Sequence, residues 1–346
     1  MTDDKIWMKM AIEEATKATG LTSPNPLVGA VIIKDHQLIG RGHHMKAGTA
    51  HAEVNALKNC VESPEGATCY VTLEPCSSWG RTPPCTKALI DAKVARVVIG
   101  TLDPNPDHAG EAVEILEQAG ISVSHHVLAE ECWQINMAFF KWIRSQTPMV
   151  TLKMAMTLDG KIATKSGQSQ WITGTESRFE VQQLRKWADA IIVGGETARQ
   201  DNPSLTVRDI AQWPSQPHRY LWSTQTDFAP SMKVFNKDGK EAEIIAPQTK
   251  DEWQTELKKM GSKNITALLI EGGGELAANA LENGIVDKIE FFIAPKILGG
   301  RDSRPVVAGH NPLNLDEAHL IQDKKVRLLG DDILITGYLN DINKIK

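Results

Sequence analysis

Short apolar strands alternate with helical patterns through the first 145 residues, and the alternation restarts after Thr147-Pro148. Strands separated by helices bury their apolar faces in a layered α/β sheet, so this pattern constrains the fold more than any single motif. In the first stretch the periods predict helices at 6–19, 50–59, 84–91, 111–119 and 129–144, and strands at 27–34, 67–73, 95–100 and 121–127. Gly20 and Gly120 stand as stop signals after two of those helices. In the second stretch strands are predicted at 149–156, 190–193, 219–223, 242–246, 266–271, 288–294 and 332–339, with a helix at 176–187. The short junction divides the chain into domains at 1–146 and 147–346, each long enough for its own core. No internal repeat and no low-complexity segment interrupts either half.

Charge narrows the class of partner. The net charge is −5, and Lys and Arg are scattered rather than concentrated on one stretch. That disfavours a dedicated nucleic-acid binder, which carries a basic face. A small anionic ligand is still compatible, because a few well-placed Arg suffice for one phosphate. The first twenty residues carry acids early and lack an unbroken apolar segment, so they do not read as a signal peptide. No run approaches the ~18–20 apolar residues of a membrane span. The expected compartment is the cytoplasm and no membrane partner is expected. Five cysteines in a reducing compartment do not read as a disulfide framework. Cys60, Cys69 and Cys132 read as small core residues, which leaves Cys76 and Cys85 for metal or chemistry.

Three pieces then converge: His51-Ala52-Glu53, Pro75-Cys76 and Cys85. A catalytic zinc takes three protein ligands and keeps one position open, and one imidazole with two thiolates supplies that set. Zinc lowers the pKa of bound water to about 7, so a nucleophile exists at neutral pH. Glu53, near a helix start and two residues from His51, suits a proton shuttle that does not ligate the metal. The H-x-E…P-C-x-x-C pattern of zinc deaminases is similar, although here eight residues separate the two cysteines. The alternatives are a capping or core histidine with inert cysteines, or a structural zinc knot. The knot needs a fourth ligand, for which only Cys60, Cys69, His43 and His44 stand near, none at knuckle spacing.

The words around these residues are specific. TSPNPLVGAVI (22–32), HAEVNAL (51–57), VTLEPCSSWGRTPPC (71–85) and DPNP (103–106) resemble the deaminase half of the bifunctional deaminase/reductase family of riboflavin biosynthesis. LKMAMTLDGKIAT (152–164), SQWITG (169–174), DNPSLTVR (201–208) and EGGGELAANAL (271–281) resemble its reductase half, in the same order. The resemblance implies a cytidine-deaminase-like α/β/α domain followed by a dihydrofolate-reductase-like α/β domain. It implies one zinc per chain on His51, Cys76 and Cys85, with Glu53 as proton donor and acceptor. It implies a phosphorylated pyrimidine substrate contacted by Asn25 and His44. A side-chain amide offers a donor and an acceptor to a ring edge, which suits Asn25. The family's PCSH word is PCSS here, with Ser78 followed by Trp79, so the phosphate contact of that histidine does not carry over. Arg81 is expected to take more of the anion binding, through paired N–H donors.

In the second half, Gly272, Gly274 and Ala277 fit the G-x-G-x-x-A dinucleotide pattern, but a tight strand-to-helix turn gives the same string. The pattern also lies late, after several strands, whereas a Rossmann domain places it first. The resemblance implies NADPH instead on a reductase fold, facing Ala155, Trp171, Thr197, Asp201, Ser223 and the 273–279 turn: Gly273, Gly274, Glu275, Leu276, Ala277, Ala278 and Asn279. It places Lys153, Ser169, Arg185, Leu205, Arg208 and Glu271 toward the substrate. A homo-oligomer, a dimer, is expected. Two rivals stand beside this reading: a nucleoside, base or tRNA adenosine deaminase with an unrelated second domain, and a zinc-stabilised regulatory module. The long cysteine spacing and the C-terminal words count against the first; the second needs a closed four-ligand site and no Glu53.

Overall fold

The computed structural model describes residues 3–79, 83–105, 109–208, 213–235, 242–310 and 312–339. The chain divides into two compact units, Met1–Ser145 and Gln146–Ile345. No helix among the described residues is long and apolar enough to cross a membrane.

The first unit carries β1 (Gly29–Lys34), β2 (Gln37–His43), β3 (Thr68–Leu73), β4 (Arg96–Thr101) and β5 (Ser122–Ser124), in the order β2-β1-β3-β4-β5. β1 runs antiparallel to both neighbours, while β3, β4 and β5 are parallel. Its helices are α1 (Asp3–Thr16), α2 (Ala52–Lys58), α3 (Cys85–Asp91), α4 (Glu111–Gln118), α5 (Ala129–Gln134) and α6 (Met137–Ser145). Alternate strand residues feed two cores, as the period of two demands. Ala30, Ile32, Val71, Val97 and Ile99 pack with Ala52, Ala56, Leu89 and Leu116 from α2, α3 and α4. Val31, Ile33, Tyr70 and Val98 pack on the other face with Met8, Ala11 and Cys132 from α1 and α5. The result is the α/β/α layering of a cytidine-deaminase-like domain.

The sequence pattern does not show β2. Its residues QLIGRGH look like a loop because Gly40 and Gly42 interrupt the apolar run. Both glycines are required by close packing: a Cβ at Gly40 would stand 2.5 Å from the Ala56 carbonyl oxygen, and one at Gly42 2.4 Å from the Ala56 nitrogen. The predicted helix 129–144 is two helices, α5 and α6, joined by a turn in which Asn136 N–H bonds the Trp133 carbonyl and the Asn136 side chain pairs with the Leu27 backbone.

The second unit contains β6 (Met149–Thr157), β7 (Lys161–Ala163), β8 (Ala190–Gly194), β9 (His218–Trp222), β10 (Ala242–Ile245), β11 (Ala267–Glu271), β12 (Lys288–Ala294), β13 (Arg304–Pro305), β14 (Gln322–Leu329) and β15 (Asp332–Tyr338). Its helices are α7 (Thr175–Trp187), α8 (Gly195–Asp201), α9 (Lys250–Ser262) and α10 (Gly274–Glu282). Eight strands form one sheet in the order β10-β9-β8-β11-β6-β12-β15-β14, parallel from β10 to β12 and antiparallel beyond; β7 and β13 form a small ribbon. One face packs Val150, Leu152, Ile192, Leu268 and Ile270 against Trp253, Leu257, Leu276 and Ala277 of α9 and α10. The opposite face packs Ile191, Val193, Leu221 and Leu269 with Ala198 of α8 and Leu184 of α7. The glycine turn is late in the chain but central in space, because β11 inserts between β8 and β6.

Candidate functional site

The first site is assembled from three element ends. His51 caps α2 in an extended conformation, and Glu53 follows in its first turn. Cys76 lies just beyond β3, and Cys85 opens α3. The ligand atoms of His51, Cys76 and Cys85 all lie within 4.8 Å of one another. His51 Nδ1 stands 3.3 Å from Cys85 Sγ and 3.4 Å from Cys76 Sγ. Zinc–sulfur and zinc–nitrogen bonds of about 2.3 and 2.0–2.1 Å at tetrahedral angles separate N from S by about 3.6 Å. The donor set therefore fits zinc in chemistry and in spacing. The Cys85 backbone N–H donates to Cys76 Sγ at 3.2 Å. Hydrogen bonds from the Cys85 thiol and from His51 hold the Cys76 thiol down to about 4, and burial opposes them only in part.

Glu53 is 2% exposed, and its Oε2 has no hydrogen-bond partner. Desolvation raises its pKa to about 7. A buried carboxylate oxygen without a partner is costly unless it serves the site. The buried His44 ring lies edge-on to His51, with centroids 5.3 Å apart. His44 Nδ1 donates to the Ala50 carbonyl at 3.2 Å, which leaves Nε2 to accept from the Asn25 amide at 3.1 Å. Desolvation lowers the His44 pKa and favours that neutral ring. Asn25, His44, His51, Glu53, Cys76 and Cys85 thus gather in one place. Arg81 lies outside the described residues, and Ser78 and Trp79 are exposed.

Two positioning groups were missed in the sequence. Asn136 accepts from Leu27 N–H at 2.7 Å and donates to the Leu27 carbonyl at 2.8 Å, tying down the chain that follows Asn25. Glu74, buried two residues before Cys76, accepts from the backbone N–H groups of Asp103, Gly110 and Ala112 at 3.0, 3.0 and 3.1 Å. An acid at the end of an apolar strand, in VTLEPC, was the signal for it.

The second site lies at the carboxyl ends of the parallel strands. A cavity of about 590 Å³ opens between the turn after β8 and the turn after β11. Those turns lead to helices on opposite faces of the sheet, so the crevice is a topological switch point. Gly194, Thr197, Trp222, Ser223, Gly273 and Gly274 are among its lining. Gly272 and Gly273 take φ values of 91° and 92°, which L side chains rarely adopt, and a Cβ at Gly274 would come 2.6 Å from the Pro305 carbonyl oxygen. This glycine cradle at a helix start, beside a cavity of ligand size, fits a dinucleotide diphosphate.

Of the residues expected to face the cofactor, Thr197, Ser223, Gly273, Gly274, Glu275 and Leu276 line this cavity. The others lie elsewhere. Ala277 and Ala278 are buried on α10, and Asn279 accepts from Trp253 Nε1 at 2.7 Å, so the second turn of the helix serves its packing face. Ala155 sits on β6 opposite Phe292. Trp171 is exposed beneath the Arg178 guanidinium, and Asp201 accepts from the Ser169 hydroxyl at 3.0 Å.

Beside Lys153 of β6 stands Glu271 of β11, in register with it. Arg185 donates to both oxygens of Glu271, at 2.6 and 2.8 Å, and to the Thr206 carbonyl at 3.1 Å. Burial alone pushes the Glu271 pKa up, but Arg185, Lys153 and Arg208 outweigh it and hold it below the usual carboxylate value. Burial also lowers the Lys153 pKa, against the pull of Glu271. Lys153, Arg185 and Arg208 thus all act on the one carboxylate. Leu205 is 1% exposed as a whole residue, belongs to the core beneath and takes φ 52°.

Comparison with known proteins follows the same division. Residues 1–101 match the family described as the cytidine and deoxycytidylate deaminase zinc-binding region, and residues 148–335 match the RibD C-terminal domain. The riboflavin biosynthesis protein RibD of Aquifex aeolicus is 42% identical over 96% of this chain and 97% of its own. A solved structure of Acinetobacter baumannii RibD superposes with a TM-score of 0.88 at 35% identity, over 98% of this chain and 99% of that one. A Thermotoga maritima structure described as a diaminohydroxyphosphoribosylaminopyrimidine deaminase/5-amino-6-(5-phosphoribosylamino)uracil reductase gives 0.85 at 32%, with 98% and 99% covered.

Proposed function

Because this chain belongs to the RibD family of riboflavin biosynthesis, we propose that residues 1–146 deaminate diaminohydroxyphosphoribosylaminopyrimidine and residues 147–346 reduce the resulting 5-amino-6-(5-phosphoribosylamino)uracil with NADPH. The protein is a bifunctional enzyme, a zinc-dependent deaminase joined to a reductase that uses a nicotinamide cofactor. The observation that carries the site assignment is the His51, Cys76 and Cys85 cluster with the unpartnered Glu53 Oε2 beside it.

A zinc ion held by these three residues supplies Lewis-acid activation of water. Glu53 Oε2, unpartnered and water-poor, accepts a proton from the attacking water and returns it to the departing amine nitrogen. The overall change consumes one water, releases ammonia and leaves a ring carbonyl. Asn25, on its tied-down loop, reads the pyrimidine edge, with His44 bracing its amide. Arg81 contributes to holding the phosphate of this phosphorylated substrate.

In the second unit the nicotinamide supplies hydride when bound. The Gly273–Gly274 backbone and the start of α10 would hold its diphosphate. Lys153, Ser169, Arg185, Leu205, Arg208 and Glu271 form the substrate side, with Lys153, Arg185 and Arg208 grouped around the Glu271 carboxylate. The enzyme works in the cytoplasm as a homodimer. The support for self-association is β14, an outer strand whose residues are exposed on both faces, with Val326 64% and Leu328 75% accessible. An edge strand of that kind is usually covered.

Mass spectrometry of the products tests the assignment. Without NADPH the reaction stops after loss of the amine; with NADPH the product gains two hydrogens. A Glu53→Gln protein keeps zinc, deaminates about 10²–10⁴-fold more slowly, and still oxidises NADPH when given deaminated substrate. Loss of that reduction in a folded Glu53→Gln protein refutes two separate sites.

A further inference from the structure

The cavity of the second unit runs across the carboxyl ends of β9, β8 and β11, and β6 is the next strand of the sheet. Neighbouring strands are about 4.8 Å apart, so β6 and β9 are separated by roughly 14 Å, the scale of an extended dinucleotide. With the reducing end beside Lys153 on β6 and the diphosphate over Gly273 and Gly274, the adenosine ribose falls at the end of β9. Ser223, Thr224 and Gln225 line the cavity there.

One cation is built into that end. Gly195 lets α8 press against it: a Cβ would meet Ser223 Cβ at 2.8 Å and Phe228 Cζ at 2.9 Å. Arg199 lies four residues on, so it shares the same helix face. Its guanidinium stands 4.3 Å from the Phe228 ring centroid and lines the cavity. Its ion pair with Asp227, at 3.2 Å, is weak because Asp227 is 85% exposed. The stacking ring thus orients a cation whose carboxylate partner competes poorly. Among the described residues, the other cation of the lining is Arg304, which donates to Gln200 at 3.0 Å and leans on Glu196 at 3.8 Å. Its neighbour Pro305 abuts Gly274, which places Arg304 at the diphosphate end.

We infer that Arg199, with the hydroxyls of Ser223 and Thr224 beside it, reads the 2′-phosphate that distinguishes NADPH from NADH. This rests on the assignment of the cavity to a nicotinamide dinucleotide. A phosphate dianion at this end meets one preoriented guanidinium and two hydroxyl donors, whereas the bare 2′-hydroxyl of NADH gains no charge-assisted contact.

Titration calorimetry on the full chain with two adenosine fragments, 2′,5′-ADP and 5′-AMP, isolates this contact from catalysis. The unmodified protein binds 2′,5′-ADP more tightly. Arg199→Ala and the milder Arg199→Gln each reduce that preference by roughly 10- to 100-fold, while Arg304→Ala weakens both fragments to a similar degree. KM for NADPH rises in parallel in the Arg199 variants, with kcat little changed. If folded Arg199 variants retain the full preference, another group reads the phosphate and the inference is wrong. If the unmodified protein shows no preference, the NADPH reading itself falls, and the inference with it.

Discussion

Replacing Arg185 with Met keeps length and apolar bulk but removes both hydrogen bonds to Glu271. The two side chains are 8% and 5% exposed, so water cannot substitute for the lost partner. Removing one member of a buried pair costs about 3–5 kcal/mol, because the other charge is left uncompensated. Lys153 and Arg208 still act on Glu271, which places the expected loss near the lower end, about 3 kcal/mol. The pH dependence has a definite sign. In the unmodified protein the Glu271 pKa is lowered, so its contribution is present above the unfolded value of about 4.3 and is lost as pH falls through the folded one. Without Arg185, burial dominates and the folded pKa rises. The penalty then exists at high pH and disappears as pH falls through that raised value. The stability gap between the two proteins therefore narrows from pH 7 toward pH 4. Hydrogen exchange at the β6 and β11 amides, corrected for intrinsic rates, reports opening of this sheet alone. A gap below about 1 kcal/mol at pH 7, or one that does not narrow on acidification, refutes the reasoning.

Cys76→Ser and Cys85→Ser each abolish zinc retention and deamination; metal analysis that finds full zinc in both variants removes them as ligands. Asn136→Ala leaves the Leu27 N–H and carbonyl without their side-chain partner, each at a cost of about 1–3 kcal/mol, and frees the Asn25 loop. Thermal unfolding reads the first effect and a raised KM for deamination the second. Arg81→Ala weakens the phosphorylated substrate by roughly 1.5–3 kcal/mol relative to a dephosphorylated analogue; equal kinetic losses on both substrates exclude Arg81 as a phosphate reader.

The His51, Cys76 and Cys85 cluster and the nearby Glu53 were legible because their residue types are chemically demanding and their neighbours form distinctive words. The parallel strands were legible because they are buried on both faces and read as apolar runs, as in AIIV of β8 and ALLI of β11. What escaped was structure specified by partners distant in sequence. β2 is glycine-rich because α2 lies against it, a reason invisible without α2 in place. β14 has no alternating burial, so QDKKVRLL carries no period of two. The Asn136 side chain finds its partner in Leu27, over a hundred residues earlier in the chain. Ala277, Ala278 and Asn279 came with the family resemblance as part of one 273–279 turn, and a residue range does not distinguish the cavity end of α10 from its packing face. α9 did carry a local signal, the Thr249/Glu252 capping box with Trp253, Leu257 and Met260 on one face.

The position of β11 has a consequence for how the chain is made. The described strands of the first unit are complete by residue 124, and its proposed zinc ligands by residue 85. The reductase sheet cannot close so early, because β6 and β8 are synthesised with a gap between them that only β11, ending at residue 271, fills. Until then two apolar strand edges and a half-covered core wait for a sequence-distant partner, the situation in which folding is slow and aggregation competes. Vectorial synthesis therefore delivers a metal-competent deaminase unit well before its reductase partner exists. A pause or truncation between residues 194 and 267 would spare the zinc centre and leave the second unit as an exposed, unfinished sheet.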